Sequence, residues 1–229
     1  MKKKFLAFIL SAAMATLLLT GCSGGGSSGT VPGGTQTSSN GKVSIKMLGA
    51  SWEELGGYMF VYYSAEVTNG NSQTAGGCAV TVTSRNKDGK VLDVSTMDGT
   101  GLIASGDTIR YSGKTYYVGE APATVELSIG SPYGYNNNYG AVARSSELKP
   151  TNIALINGSK ITGDLVNDSS VTPTNVRVSV LFKQNGKYIG GDSTWVNHVQ
   201  PNGVKAAFEV YIPDCCEGFD SYEVVAAQW

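Results

Sequence analysis

The strongest constraint on the fold is a pattern of alternating apolar residues that occurs twice along the chain, ~98 residues apart. The matching positions are Cys78, Val80 and Val82 in the first copy and Val176, Val178 and Val180 in the second. Apolar residues at every second position are typical of β-strands that bury one face. Because the pattern recurs at one offset, the sequence indicates two copies of a single all-β module.

Turn signals recur at the same offset. Lys87-Asp88-Gly89-Lys90 and Asn185-Gly186-Lys187 each separate two alternating runs, and Ser105-Gly106 corresponds to Asn202-Gly203. Such pairs favour hairpins with type I′ turns, in which both central residues have positive φ. With about seven short strands expected in each copy and no amphipathic helix, the fold class predicted is all-β, with two tandem Ig-like antiparallel β-sandwiches.

Composition divides the chain into five segments. They are a signal peptide at 1–21, a lipidated cysteine with a flexible tether at 22–42, a sandwich module at 43–130, a Tyr/Asn/Gly-rich linker at 131–147 and a second module at 148–229. Residues 22–42 are assigned as a tether because they are mostly Gly, Ser, Thr and Asn, and the segment contains too few apolar side chains to form a core.

The start of the chain has the organisation of a secretion signal. Three lysines (2–4) precede an apolar run (5–19) that is shorter than the about 20 residues of a membrane span. The next residues, Leu19-Thr20-Gly21-Cys22, resemble the lipobox of bacterial lipoproteins. The resemblance implies that Cys22 is lipidated and becomes the first mature residue. The protein would then be anchored in a bacterial cell membrane or outer membrane, facing the extracytoplasmic side.

The order of strand, Asn-containing turn, alternating strand and Gly-Lys hairpin resembles the FxLYD-type domains of bacterial surface lipoproteins. Where Leu-Tyr-Asp is expected, the second copy has Leu181-Phe182-Lys183 and the first has Thr83-Ser84-Arg85. The resemblance covers both modules. It implies a sandwich fold and an extracytoplasmic role, and it implies no defined catalysis.

Catalytic patterns are absent from the sequence. His198 is the one histidine and lies in a stretch that reads as a strand, and no Gly-x-Ser-x-Gly nucleophile elbow at a strand-to-helix turn is present. Glu53 and Glu54 are adjacent, so a strand would direct them to opposite faces. We therefore expect no catalytic residues and no enzymatic activity.

Metal and cofactor motifs are equally weak. Oxygen ligands for calcium could come from five residues at strand ends: Asn69, Asn71, Asp164, Asn167 and Asp168. Asn and Asp are also favoured in turns for backbone reasons, and no Asp-x-Asp-x-Asp-Gly loop occurs. We expect turn residues here, no metal site and no cofactor.

The cysteines form no complete disulfide framework. With Cys22 assigned to the lipid, Cys78, Cys215 and Cys216 are an odd number. Cys215 and Cys216 could form a vicinal disulfide or remain two separate thiols at a turn, and the sequence favours separate thiols.

Two aromatic stretches are candidates for ligand contact. Tyr133, Tyr135 and Tyr139 lie among Gly and Asn, and they form either an adaptable contact surface or part of a linker. Tyr58, Phe60 and Tyr62 alternate with Met59, Val61 and Tyr63, so both faces of that strand are apolar. One face fits core packing. The other fits a sheet edge, an inter-module contact or a partner site.

The charge pattern restricts the partners. The chain has a net charge of −1 and no basic stripe, which argues against nucleic acid. We expect a non-enzymatic, lipid-anchored lipoprotein that presents two β-sandwich modules for binding a protein or another envelope component. Its partners would be the membrane, through the N-terminal lipid, and an envelope protein or glycan. Alternatives are a carbohydrate-binding surface protein and an accessory subunit of an envelope enzyme or transporter.

Overall fold

The computed structural model describes residues 29–32, 37–40, 42–134 and 141–229, and these ranges are built from antiparallel strands. The first strands are β1 (Gly29–Pro32), β2 (Thr37–Asn40), β3 (Val43–Leu55), β4 (Tyr58–Asn69), β5 (Cys78–Arg85), β6 (Val91–Gly99), β7 (Thr108–Tyr117) and β8 (Thr124–Pro132). The others are β9 (Leu148–Ile156), β10 (Lys160–Asn167), β11 (Asn175–Gln184), β12 (Lys187–Asn197), β13 (Lys205–Tyr211) and β14 (Ser221–Gln228). Two three-residue 3-10 turns, Ser145–Glu147 and Asp214–Cys216, are the helical segments within the described ranges.

The strands form four sheets. Sheet I contains β3, β4 and β7 with β1 and β2 paired to β3, and sheet II has the order β6-β5-β8. Sheet III has the order β12-β11-β14, and sheet IV has the order β13-β10-β9. Sheets I and II make the first sandwich, and sheets III and IV make the second. The predicted all-β fold of tandem sandwiches is confirmed.

The two sandwiches have the same topology. The orders β3-β4-β7 and β6-β5-β8 become β9-β10-β13 and β12-β11-β14 when six is added to each strand number. Each copy therefore has six shared strands in the described ranges rather than about seven. The structure confirms that the sequence repeat is a structural repeat.

Each sandwich encloses its own core. In the first, Ile45, Val61 and Leu127 belong to one buried cluster between sheets I and II. In the second, Val178 and Phe208 belong to another between sheets III and IV. The alternating residues that identified the strands fill these cores, as expected for strands with one buried face.

The sandwiches also pack face to face, with sheet I against sheet III. Several outward positions there carry small polar side chains, and Ser51, Ser64 and Ser179 are fully buried between the sheets. A Cβ atom on Gly49 would lie 2.1 Å from the carbonyl oxygen of Tyr188. The backbones of β3 and β12 therefore approach each other more closely than a larger residue at position 49 would allow.

Hydrogen bonds satisfy the buried polar groups of this interface. The Ser51 hydroxyl donates to the carbonyl of Ile189. The Ser112 hydroxyl donates to the carbonyl of Asp192 at 2.6 Å, and the Ser112 backbone N–H donates to the Ser179 hydroxyl at 3.1 Å. These bonds give buried polar groups at the contact their partners, and the four sheets form a stack in the order II, I, III, IV.

Two expectations about connecting segments need correction. Residues 29–32 and 37–40, predicted as flexible tether, are strands that pair with β3. A segment with few apolar residues can pair in this way because the unpaired backbone groups at the edge of a sheet offer it main-chain hydrogen bonds. In the predicted linker 131–147, Ala143 is buried in the second core and a 3-10 turn follows it. The end of that linker is thus part of the second sandwich.

The signal peptide, the lipobox residues Leu19, Thr20 and Gly21, and the lipidation residue Cys22 lie outside the described residues. Among the residues that are described, no helix has the length and apolarity needed to cross a membrane.

Candidate functional site

The candidate site begins with strand β4, whose two faces have different surroundings. Met59, Val61 and Tyr63 are buried in the first core. Side chains at alternate positions point to the opposite face of a strand, so Tyr58, Phe60 and Tyr62 lie on the face of sheet I that is directed toward sheet III.

Sheet III covers only part of that face. Ser64 is fully buried and Tyr62 is 8% exposed, whereas Tyr58 is 45% exposed. On the neighbouring strand β7, Tyr116 is 47% exposed and pairs in register with Phe60. The β3–β4 hairpin therefore carries aromatic side chains beyond the end of the inter-sandwich contact. We refer to Tyr58, Phe60, Tyr62 and Tyr116 as the aromatic platform.

The rings of the platform contact one another. Phe60 and Tyr62 are stacked, with centroids 6.4 Å apart and planes 25° from parallel. Phe60 lies 5.6 Å from Tyr116, and Tyr116 meets Tyr58 edge to face at 5.8 Å. These distances are typical of aromatic pairs that hold each other in place. The result is a continuous aromatic surface rather than four separate side chains.

A cleft between the two sandwiches adjoins the platform. It has a volume of about 350 Å³ and lies between the end of β3 and the segment that follows β13. Its ionisable side chains are Glu53, Glu54, Tyr62, Lys114, Asp192, Tyr211 and Asp214. A volume in this range suits a small ligand or one part of a chain-like ligand.

The floor of the cleft is a polar network that joins the two sandwiches. The Lys114 ammonium lies 3.2 Å from an Asp192 carboxylate oxygen and 5.8 Å from the centre of the Tyr62 ring. The Glu53 carboxylate accepts the backbone N–H of Cys215 at 3.0 Å. Burial raises the pKa of Tyr62, and the negative charge of Glu53 raises it further. Tyr62 therefore remains a neutral phenol at physiological pH.

The predicted ligand contacts do not join this site. Tyr133 is 82% exposed, and its backbone N–H donates to Gly77 at the end of the first sandwich where β5 begins. The platform lies at the other end, where β4 begins. Tyr135 and Tyr139 lie outside the described residues. Their role in ligand contact stays a prediction.

The residues considered for catalysis lie apart from one another. His198 is exposed, directly follows β12 and has a φ of 51°. Glu53 is in the cleft and bonded to Cys215. The histidine and this carboxylate lie on different sandwiches.

The residues considered for calcium binding take part in turn and strand contacts. The Asp164 carboxylate accepts the Asn152 side-chain amide at 2.6 Å, and Asp168 pairs with Lys149. Within the described ranges, no group of three or more His, Cys, Asp and Glu side chains is placed to hold a metal ion.

The three described cysteines are free thiols. Cys215 and Cys216 are thus separate thiols, as the sequence favoured, in the 3-10 turn beside the cleft. Hydrogen bonding with Cys216 and burial raise the pKa of Cys215.

Sequence reasoning identified the second apolar face of β4 but missed the rest of the site. Tyr116 lies on β7, and its pairing with Phe60 depends on the register of β4 and β7. Asp192 and Tyr211 come from the other sandwich. No local pattern indicates that they approach β3.

Comparisons with known proteins add no family. No family model and no curated protein matches the chain. Among solved structures, the chain is similar to the N-terminal CBM22-1–CBM22-2 tandem domain of Xyn10C from Paenibacillus barcinonensis, at 12% identity and a TM-score of 0.21. The match covers 87% of this chain and 89% of that one. At this score the similarity carries no argument about function.

Proposed function

We propose that this chain is a non-enzymatic, lipid-anchored lipoprotein of the bacterial envelope. Its two packed sandwiches are presented on the extracytoplasmic side and bind an envelope component through the aromatic platform. The observation that carries the binding role is the exposure of Tyr58 and Tyr116 in a continuous aromatic surface.

The packing of the first sandwich does not require exposed aromatic side chains at this position. Leu55, 62% exposed, lies at the same hairpin and extends the apolar area. Single exposed apolar residues are ordinary, but contiguous exposed apolar groups are typical of interaction sites. The core of the first sandwich is complete without them, because Met59 and Val61 fill it from the opposite face of β4.

The sandwich stack is a suitable support for such a site. Hydrogen bonds from Ser51 and Ser112 to the second sandwich hold sheet I in a fixed position. Binding sites on rigid strands lose less conformational entropy than sites on mobile loops. The aromatic platform is therefore preorganised for its ligand.

The anchor rests on the lipobox resemblance and has its own test. When cells that express the chain are supplied with alkyne-labelled palmitate, the protein should become labelled. The Cys22→Ser substitution should abolish this labelling and release the protein from the membrane fraction. Cys78→Ser is the control, because Cys78 is a buried core residue. Equal labelling of the Cys22→Ser variant would refute the anchor.

Crosslinking on intact cells tests the binding role. The wild-type chain should capture an envelope component, and the double variant Tyr58→Ala/Tyr116→Ala should capture much less. Leu155→Ala is the matched control, since Leu155 is apolar and 44% exposed but lies on β9 in the second sandwich. Undiminished capture by the double variant would refute the platform as the binding site.

A further inference from the structure

We infer that the aromatic platform and the adjoining cleft together bind a neutral polysaccharide chain. This inference rests on the proposed binding function and specifies the chemical class of the ligand. A sugar ring has an apolar face of C–H groups and an edge of hydroxyl groups, so its site needs an aromatic surface beside hydrogen-bonding groups.

The platform supplies the aromatic surface. The Phe60 and Tyr62 rings lie 25° from parallel, and Tyr116 is inclined by 36° to Phe60. Their π faces are electron-rich and attract the partly positive C–H groups of a sugar ring. Tyr62 is only 8% exposed and supports its neighbours, so the partly exposed Phe60 ring and the 47% exposed Tyr116 ring are the ones that can contact sugar units of an extended chain.

The cleft supplies the hydrogen-bonding groups. Glu54 and Asp214 are exposed at its mouth, and the Tyr211 side chain is 63% exposed. Carboxylates accept hydrogen bonds and the tyrosine hydroxyl both donates and accepts, which matches the hydroxyl groups of a sugar. The Lys114–Asp192 pair closes the floor and supplies a further donor.

The charge of the cleft selects among polysaccharides. Four carboxylates, from Glu53, Glu54, Asp192 and Asp214, face one ammonium group, from Lys114. An anionic polymer would bring like charges together in a partly enclosed space, which disfavours binding. The ligand is therefore a neutral chain rather than a polyuronate or a polyphosphate.

The shape of the site favours a thin chain over a folded protein. The platform lies on a sheet face, whereas the cleft is recessed between two sandwiches held together by hydrogen bonds. An extended polysaccharide can lie across the platform and enter a space of about 350 Å³. A flat protein surface would cover the platform but would leave the polar groups of the cleft unpaired, which costs free energy.

Affinity electrophoresis of the purified full-length chain in a mild non-ionic detergent tests the inference. Native gels would contain hydroxyethylcellulose, galactomannan or glycol chitin as neutral polymers, or polygalacturonate as the anionic one. At least one neutral polymer should retard the wild-type protein, and polygalacturonate should not. Tyr58→Ala/Tyr116→Ala should weaken the retardation about tenfold or more, whereas Leu155→Ala, at a 44% exposed apolar residue of β9 in the second sandwich, should leave it unchanged.

The variants must first be shown to be folded. An unchanged far-ultraviolet circular dichroism spectrum and a cooperative unfolding transition are expected, because Tyr58 and Tyr116 are both nearly half exposed and lie outside the core. A folded double variant that is retarded as strongly as the wild type overturns the inference. So does a wild-type protein that none of the three neutral polymers retards, or that only polygalacturonate retards.

The cell experiment separates this inference from the proposed function. If the platform variant loses a protease-sensitive partner on cells and no neutral polymer binds, the glycan inference fails and the binding function stands. If the variant changes neither crosslinking on cells nor retardation in gels, both fail.

Discussion

Asn69 and Asn167 occupy the same position in the two sandwiches and make the same side-chain hydrogen bonds. Both are fully buried at the end of the second strand of the copy. Each Nδ2 atom donates to the carbonyl four residues later, at 2.9 Å to Gln73 and 2.7 Å to Val171. Each Oδ1 atom accepts the backbone N–H two residues later, at 3.0 Å in both copies.

A further bond reaches a distant loop. The Asn69 amide donates to the Ile103 carbonyl and the Asn167 amide to the Val199 carbonyl, both at 2.9 Å. Each asparagine thus joins the loop that follows its strand to the loop that precedes the fifth strand of the copy. This role explains why Asn recurs at the offset of the repeat, and it uses the side-chain atoms that a calcium ion would need.

Replacing either asparagine should destabilise its sandwich. Asn69→Ala and Asn167→Ala each leave buried carbonyl and N–H groups without partners, so the free energy of unfolding should fall by about 2–4 kcal/mol. Urea denaturation followed by fluorescence measures the change. Asn197→Ala is the control, because Asn197 is exposed and its loss should cost less than about 0.5 kcal/mol. Equal effects at positions 167 and 197 would contradict this role.

The face-to-face packing gives a second prediction. Gly49→Ala places a methyl group 2.1 Å from the Tyr188 carbonyl oxygen, so β3 and β12 must move apart. We expect a loss of about 2 kcal/mol or more and faster cleavage by proteases at the contact between the sandwiches. Gly130→Ala is a matched control in another strand, where the nearest atom would lie at an ordinary 3.5 Å. A Gly49→Ala protein as stable as the control would show that the contact is loose.

A third prediction concerns Arg177, which packs among aromatic rings at the junction of the sandwiches. Its guanidinium lies 4.6 Å from the centre of the Trp229 ring, 5.1 Å from Tyr111 and 5.5 Å from Trp195. Its Nε atom also donates to the Ser193 hydroxyl at 2.9 Å. A planar guanidinium can stack on several rings, and an ammonium cannot reproduce that arrangement.

Arg177→Lys should therefore lower the free energy of unfolding by about 1–2 kcal/mol although the charge is kept. Thermal unfolding at several salt concentrations measures the loss, which should persist at high salt because the site is buried. Arg85→Lys is the control, since Arg85 makes a partly exposed ion pair with Glu126 that contributes little. A loss that disappears at high salt would indicate a simple ion pair instead.

The turns show how far local sequence reasoning reaches. Asn185 and Gly186 have φ values of 52° and 73° and form the predicted type I′ hairpin. At the matching position in the first copy, only Gly89 has a positive φ. There the Asn86 side chain accepts the backbone N–H groups of Asp88 and Lys90, which produces a longer loop. The presence of a hairpin in the first copy was predictable from the sequence, but its turn type depends on the Asn86 side chain, which lies outside the central Asp-Gly pair.

The inter-sandwich contact was not predictable for a physical reason. Ser51, Ser64 and Ser179 alternate with apolar residues, which is also the pattern of a strand with a solvent-exposed face. Their burial follows from the approach of a second sandwich, whose strand β11 places Ser179 between the larger Arg177 and Leu181 on the facing side. For the same reason the sequence revealed the apolar second face of β4 but not the cleft, because the cleft exists only where the two sandwiches meet.

The last prediction concerns Glu223, which connects the sandwiches. Burial opposes its ionisation, but donors from Lys183, Tyr188 and, across the interface, Arg110 outweigh burial and lower the pKa of Glu223. The folded state therefore favours the carboxylate. Its contribution to stability is complete above the pKa of an unfolded glutamate, about 4.3, and is lost as the pH falls through the lower pKa of the folded state.

Glu223→Gln should thus be less stable than the wild type at pH 7, and the difference should shrink in acid, below about pH 4. Urea denaturation at a series of pH values measures this difference directly. Tyr188→Phe removes only one of the donors, so it should produce a smaller change in the same direction. A Glu223→Gln deficit that stays constant from pH 7 to pH 3 would show that packing, and not the ionised carboxylate, accounts for the contribution of Glu223 to stability.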